Sequence, residues 1–336
     1  MIINEKILQN ADQSVELVRN FKECNITHAF HDIDGTYSLI RKWEPVMSAV
    51  LNDVIVNGLP ENFNSPVKLS QLIEAAENSN APESDRFCIE SAGLSALTQM
   101  EWSIRRALQS GTIQVQCFSE NSDLRKINDI IIDEIWSGVE DFEHSLNEPE
   151  ELKAFIGENS SKLFRLYEQV LRKFCRDKNL QLAKDNPAEW LVPGSMDFLE
   201  MLHSNGVKNY FITGAVVGKN GQEYSGTMYE ELQALDFEIG ENQIIDELYG
   251  SDWGLKKSKE QIMKEICDKE NISGENILII GDGRSEISAG VSLGALCISR
   301  LSEKAERQRS IHHGLGTNII LSDYLSICDI LTSNLN

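Results

Sequence analysis

The sequence predicts an α/β protein, an open and mostly parallel sheet broken once by a large, mainly α-helical insertion. Three observations predict it. Beyond Pro193, short apolar runs alternate with stretches of helical period. Polar punctuation closes the runs at residues 32–36, 213–214 and 281–286. Between the first two closures, residues 37–191 carry helical periodicity almost throughout. In sheets of this class, functional residues collect at the carboxyl ends of the strands. The insertion leaves the sheet just after the first of these ends, where a cap over a site would attach.

Taken in order, residues 10–23 have Ala11, Val15, Val18 and Phe21 at helical spacing, so an amphipathic helix is expected there. Residues 26–33 read as a strand that enters a loop at Asp34 and Gly35. Within the insertion, helices are expected over 43–56, 67–76, 94–108 and 160–174. Turns fall at 64–66 and 78–82, and 111–118 reads as a short strand or an extended linker. Next come a helix over 194–204, stopped by Asn205 and Gly206, and a buried strand over 207–212. A helix at 228–235, a short strand at 243–246 and a helix at 259–269 follow. The remaining expectations are strands at 277–280, 295–298 and 317–321, and helices at 286–291 and 324–331. The expected organisation is therefore core 1–36, helical cap 37–191 and core 192–336.

Composition narrows the function. The 336 residues hold 31 Lys and Arg against 53 Asp and Glu, a net charge of -22. That balance argues against a protein that grips a nucleic-acid polymer through its phosphates. It leaves room for a small anion in a locally basic pocket. The amino terminus has no signal-peptide pattern, and no run approaches the roughly 20 apolar residues of a membrane span. Seven dispersed cysteines without a CxxC pair fit free thiols in a reducing cytoplasm.

The sharpest chemical signal is Asp32-Ile33-Asp34-Gly35-Thr36. Two carboxylates two residues apart at a strand end repel one another, so a positive partner is expected beside them. A hard divalent cation meets that need, and magnesium favours carboxylates together with substrate phosphate. An Asx turn closing the strand would account for Asp-Xaa-Asp-Gly alone. Other strand ends weigh against that bland reading. Thr213 and Gly214 offer a hydroxyl and backbone N–H groups to an anion. Asp282 closes a further strand, with Glu286 one helical turn on. Lys256, Lys257 and Lys259 lie at or before the helix preceding that strand, although three clustered lysines also suit a solvated face.

On these residues the chain resembles the haloacid dehalogenase-like hydrolase superfamily, over roughly 24–36 and 192–330. The resemblance implies a Rossmann-like core, a phosphatase-type site and a cap inserted after the first motif. It implies Asp32 as nucleophile, Asp34 as general acid and base, and Thr213 as phosphate-binding residue. Lys257 is implied as the third-motif lysine, with Lys259 as the competing alignment. Magnesium would be held by Asp32, the Asp34 carbonyl and Asp282, with Glu286 serving metal-bound water or the lysine. The implied activity is hydrolysis of a small phosphorylated metabolite through a phospho-aspartate. A sugar phosphomutase and a non-catalytic phosphate-ligand binding protein are the alternatives. Asp34 suits a leaving alcohol, which needs a proton, over a halide, which does not.

Weaker expectations attach to neighbouring residues. His31 should face away from Asp32 and serve structure. Arg41, Lys42 and Arg284 are candidates to reach substrate. Arg105 and Arg106 point in different directions on one helix, and either is a candidate for the pocket. Trp43, Trp102 and Trp136 read as core rather than as a platform for sugar. The length of residues 37–191 matches no named cap type, so substrate identity is open.

Overall fold

The computed structural model describes residues 1–3, 5, 14–78, 80–119, 121–217, 227–251 and 258–333. The chain divides into two compact units. One takes in the described parts of Met1–Arg41, Asn179–Gly250 and Lys257–Asn336, the other those of Lys42–Lys178 and Ser251–Lys256.

The first unit is built on nine strands. They are β1 (Ile2–Ile3), β2 (Val15–Leu17), β3 (Cys24–Asn25), β4 (His28–His31), β5 (Lys208–Val216), β6 (Glu247–Ser251), β7 (Ile277–Gly281), β8 (Leu296–Arg300) and β9 (Ile319–Leu321). β1 and β3 form a small antiparallel pair. The other seven form one sheet in the order β2-β9-β8-β7-β4-β5-β6. β4 runs parallel to both β5 and β7, and β8 lies parallel to β7 and β9. The mostly parallel α/β core is therefore as expected.

Alternation along β7 explains the layers. Ile277 and Ile279 enter one apolar cluster, with Phe30, Ile212 and the helix residues Ile262, Met263 and Ile287. Leu278 and Ile280 enter the other, with Phe211, Phe198, Leu202 and Tyr324. A strand buried on both faces needs exactly this unbroken apolar run, and helices must then cover both sides. Polar side chains are left to the strand ends.

The second unit is helical: Trp43–Asn57, Pro66–Asn78, Pro82–Glu90, Ala96–Ser110, Ser122–Trp136 and Glu150–Leu171. Ser95 caps Ala96–Ser110 by accepting from the Thr98 N–H, and Gly111 ends it in the left-handed region. Trp102 is fully buried and stacks on Phe87 at 3.8 Å, and the half-buried Trp136 meets it edge-on. Trp43 is half-buried. Among the described residues, no helix is long and apolar enough to cross a membrane. The seven cysteines are free thiols.

Three expected elements are corrected. The helix over 10–23 gives way to β2, which pairs antiparallel with β9, Val15 opposite Leu321. Sheet pairing and the burial of a β-branched valine override the helical spacing; Ala11 lies outside the described residues. The strand expected at 243–246 lies one step on, at β6, because Asn242 takes a positive φ and makes a turn first. In 111–118 the chain turns and then forms the short helix Gln116–Ser119.

Gly194 ties the sheet's second half to the C-terminal helix. Its φ is +75°, and an added Cβ would stand 2.8 Å from the Leu325 nitrogen and 2.9 Å from the Tyr324 carbonyl carbon. Gly194→Ala therefore combines a left-handed backbone cost with overpacking against main chain. It is expected to lower unfolding free energy by at least about 2 kcal/mol. Urea denaturation followed by circular dichroism reads this, and an unchanged midpoint would mean that the approach of Leu325 is not tight.

Candidate active site

The register of β4 on β7 positions the site. His31 lies opposite Ile280, and the Asp32 N–H donates to the Ile280 carbonyl at 2.9 Å. Asp32 thus leaves β4 beside the point where β7 ends, and Asp282 follows Gly281 there. Oxygens of Asp32, Asp282 and Glu286 lie within 4.8 Å of one another.

Lys259 lies in this cluster. Its Nζ stands 2.6 Å from Asp32 Oδ1 and 3.1 Å from Glu286 Oε2, and the residue is 4% exposed. Helix Lys259–Glu270 begins there because Ser258 and Gln261 form a reciprocal capping box, which sets Lys259 at the first helical position. Lys257, the first-ranked lysine of the sequence reading, lies outside the described residues.

Glu286 is held on both oxygens. Oε1 accepts the Gly283 N–H at 2.6 Å, and Oε2 accepts from Lys259 and the Ser285 hydroxyl. It anchors the start of helix Arg284–Leu293 and the lysine at once. Its oxygens are therefore committed, which leaves Asp32 and Asp282 better suited to ligate a metal directly.

Electrostatics distinguish the three carboxyls. Burial pushes Asp32 up, and Lys259 pulls it back. Burial opposes the charge on Glu286, but Lys259 and backbone N–H groups hold it below the usual range. Burial also works against the Lys259 ammonium, yet Asp32 and Glu286 together raise its pKa. Asp282 is pushed well above the usual range by burial, then by repulsion from Asp32 and Glu286. One ammonium thus faces three carboxyls, and Asp282 is the uncompensated one. An all-oxygen set with a charge deficit fits a hard divalent cation.

The turn after β4 is locally determined. N–H groups of Thr36, Tyr37 and Ser38 all converge on the Ile33 carbonyl. Gly35 has φ +77°, and a Cβ there would stand 2.2 Å from Asp282 Oδ2. Glycine is required twice over, for its backbone and for this approach. Asp34 is half-buried at the head of the turn; its carboxylate is not one of the three clustered groups.

On β5, Thr213 is 3% exposed and its Oγ1 accepts the Ala215 N–H at 3.1 Å, with half-buried Gly214 between. His31 is fully buried; Tyr37 donates to its Nδ1 at 2.6 Å, and its Nε2 meets Asn209 Oδ1 at 3.0 Å. Burial drives its pKa down to about 3, so it is a neutral structural imidazole, as expected.

The other arginines are occupied within their own units. Arg41 is buried, with Nε 2.7 Å from Glu231 Oε1. Arg105 pairs with Glu148 through both terminal nitrogens and with Glu101 as well. Arg106 pairs with Glu83. Lys42 is exposed and Arg284 half-buried. Sequence reasoning overlooked Arg300, whose Nη1 donates to the Gly35 carbonyl at 2.8 Å. No local pattern marks a contact between residues so distant in the chain.

A mostly parallel sheet, aspartates at the ends of adjacent β4 and β7, and a lysine between them are the arrangement that the resemblance to the haloacid dehalogenase-like superfamily implies. No protein-family model matches the chain, and no curated protein matches it. Among solved structures, a hydrolase from Pseudomonas syringae is 14% identical, with a TM-score of 0.48 over 91% of this chain and 98% of its own. A putative phosphoglycolate phosphatase from Lactobacillus delbrueckii is 11% identical, with TM-score 0.47 over 91% and 98%. A β-phosphoglucomutase from Clostridium difficile is 13% identical, with TM-score 0.42 over 92% and 99%.

The buried cluster makes Lys259 central to stability. Lys259→Met leaves Asp32 and Glu286 buried without their cation. The expected loss is about 3–5 kcal/mol in metal-free buffer. Equilibrium urea unfolding is the measurement, and a variant as stable as the parent would disprove the pairing.

Proposed function

We propose that the protein is a magnesium-dependent phosphomonoester hydrolase working through a phospho-aspartate on Asp32. The observation that carries this reading is the convergence of Asp32, Lys259, Asp282 and Glu286 at the ends of β4 and β7. Asp32 and Asp282, with the Asp34 backbone carbonyl, would hold the magnesium ion. When bound, it would supply positive charge to the phosphoryl oxygens.

Lys259 opposes the rise that burial imposes on the Asp32 pKa, favouring its carboxylate form, and offers a second positive charge to the phosphoryl group. Asp32 attacks phosphorus in line with the ester oxygen. An oxygen–phosphorus bond forms to Asp32 while the bond to the leaving oxygen breaks. Asp34 gives its proton to that oxygen, and the alcohol departs. Asp34 then takes a proton from water, which attacks the acyl phosphate and frees Asp32 and inorganic phosphate. Thr213 and Gly214 would bind the remaining phosphoryl oxygens. Lys257 keeps no role in this scheme, since Lys259 meets the requirement. The substrate is a small phosphorylated molecule.

Phosphate release from simple esters tests the reading. Activity should vanish with chelator and return with magnesium, and Asp32→Asn should abolish it while circular dichroism stays unchanged. Metal-independent release, or a folded Asp32→Asn variant that still turns over, would refute it.

Asp34→Asn tests the acid separately. It should slow the first release of an alkyl alcohol by about 10²–10⁴-fold. Release of an acidic phenol from an aryl phosphate should fall far less, because phenolate leaves without a proton. Rapid mixing isolates this step from hydrolysis of the phospho-enzyme. Equal losses on both substrates would remove the general-acid role.

A further inference from the structure

The turn that carries Asp34 is held in part by its own N–H groups, the Gly35 N–H donating to the Ser38 carbonyl at 2.9 Å. Gly35, at its centre, has no Cβ and can adopt either sign of φ. The N–H groups that follow are gathered on the Ile33 carbonyl, but the carbonyls of Gly35 and Thr36 point elsewhere. Both are held by side chains from the last part of the chain. Arg300 Nη1 donates to the Gly35 carbonyl at 2.8 Å, while Arg300 Nε donates to the Ser322 carbonyl at 3.0 Å. The Tyr324 hydroxyl donates to the Thr36 carbonyl at 3.1 Å.

Both holders are themselves fixed. Arg300 ends β8 opposite Leu321 of β9, so its guanidinium spans the end of β7 to reach the turn after β4. Tyr324 is fully buried, stacked on Tyr37 at 5.3 Å and on Phe198 at 4.9 Å. Two consecutive peptide carbonyls are thereby pinned from the sheet. Rotating the peptide after Gly35 would break the bond to Arg300. Asp34 immediately precedes Gly35, so losing that anchor loosens the backbone segment on which the Asp34 side chain is carried.

We propose that Arg300 is a positioning residue for Asp34, acting through the Gly35 carbonyl, with Tyr324 as its auxiliary on Thr36. The proposal rests on the phosphomonoesterase reading and deepens it. Arg300 neither touches the reacting atoms nor supplies a proton. It fixes the distance from which Asp34 supplies one.

The test follows first release of leaving group by rapid mixing in the magnesium-loaded enzyme. Substrates are an alkyl phosphate and an aryl phosphate with an acidic phenol. Variants are Arg300→Gln, Arg300→Lys and Tyr324→Phe, each also combined with Asp34→Asn. Misplacement of about 1 Å can cost about 10²-fold. Arg300→Gln is therefore expected to slow alkyl release by about 10–100-fold, mainly in kcat. It should slow aryl release much less, and Arg300→Lys should recover part of the loss. In the Asp34→Asn background the Arg300→Gln effect should disappear, because the group being positioned is gone. Equal losses on both substrates, or an undiminished effect beside Asp34→Asn, would overturn the proposal. Should Arg300→Gln fail to fold, Tyr324→Phe decides. It removes one hydroxyl, and its smaller loss must show the same substrate split. Wild-type protein without metal-dependent phosphate release would instead sink the hydrolase reading.

Discussion

The rest of this structure depends on one buried ammonium among three carboxyl groups. Lys259 satisfies Asp32 and Glu286 and leaves Asp282 in deficit. Desolvating such a cluster is costly, and only close pairing offsets the cost. The sheet provides that pairing by strand adjacency. β4 and β7 are neighbours, parallel and in a register that delivers Asp32 and Asp282 to the same edge. The capping box at Ser258 delivers Lys259, and the bond from Gly283 to Glu286 delivers the third carboxylate. Secondary structure and charge are thus solved together. Asp282, left without a cation of its own, is what makes the place suitable for a divalent cation.

What the sequence made legible follows the range of the interactions. Apolar runs ending in Asp32 and Asp282 are local, and they lead directly to strand ends, whereas Thr213, expected to close its strand, lies inside β5, which runs on to Val216. Lys259 could not be separated from Lys257 by charge alone. The distinguishing signal was present in Ser258 and Gln261, whose spacing marks a helix start. Helix Glu306–Leu315 was missed because His312 is its only buried residue, leaving no apolar stripe to read. Helix Ser122–Trp136 had a readable cap in Asn121 and apolar spacing at Leu124, Ile131 and Ile135, and was overlooked. β2 was misread because three residues of edge strand imitate a helical turn. Its partner, β9, lies hundreds of residues away and leaves no local trace.

Buried polar residues outside the cluster serve geometry. His31 abuts Asp32 in sequence but turns to the other face, where Tyr37 and Asn209 settle both ring nitrogens. Because Tyr37 donates to Nδ1, the neutral ring carries its proton on Nε2 and donates to Asn209. Arg105, deep in the helical unit, is neutralised by Glu101 and Glu148. Arg41 is matched by Glu231. A strongly acidic chain keeps these cations for its own interior, so a count of arginines says little about anion binding. Location relative to the strand ends says more.

The catalytic turn illustrates how freedom and restraint divide between distant parts of the chain. Gly35 has to be glycine because Asp282 lies where a Cβ would be. The same absence of a side chain removes the local steric preference that would hold the turn in one conformation. The turn's own N–H bonds supply part of the restraint, and β8 and the start of the last helix add to it through Arg300 and Tyr324. Every aspartate in the first motif would survive an alteration near residues 300–324, but the backbone carrying them would lose two of its anchors. The motif supplies the carboxyl groups, and residues 300–324 anchor the backbone that carries them.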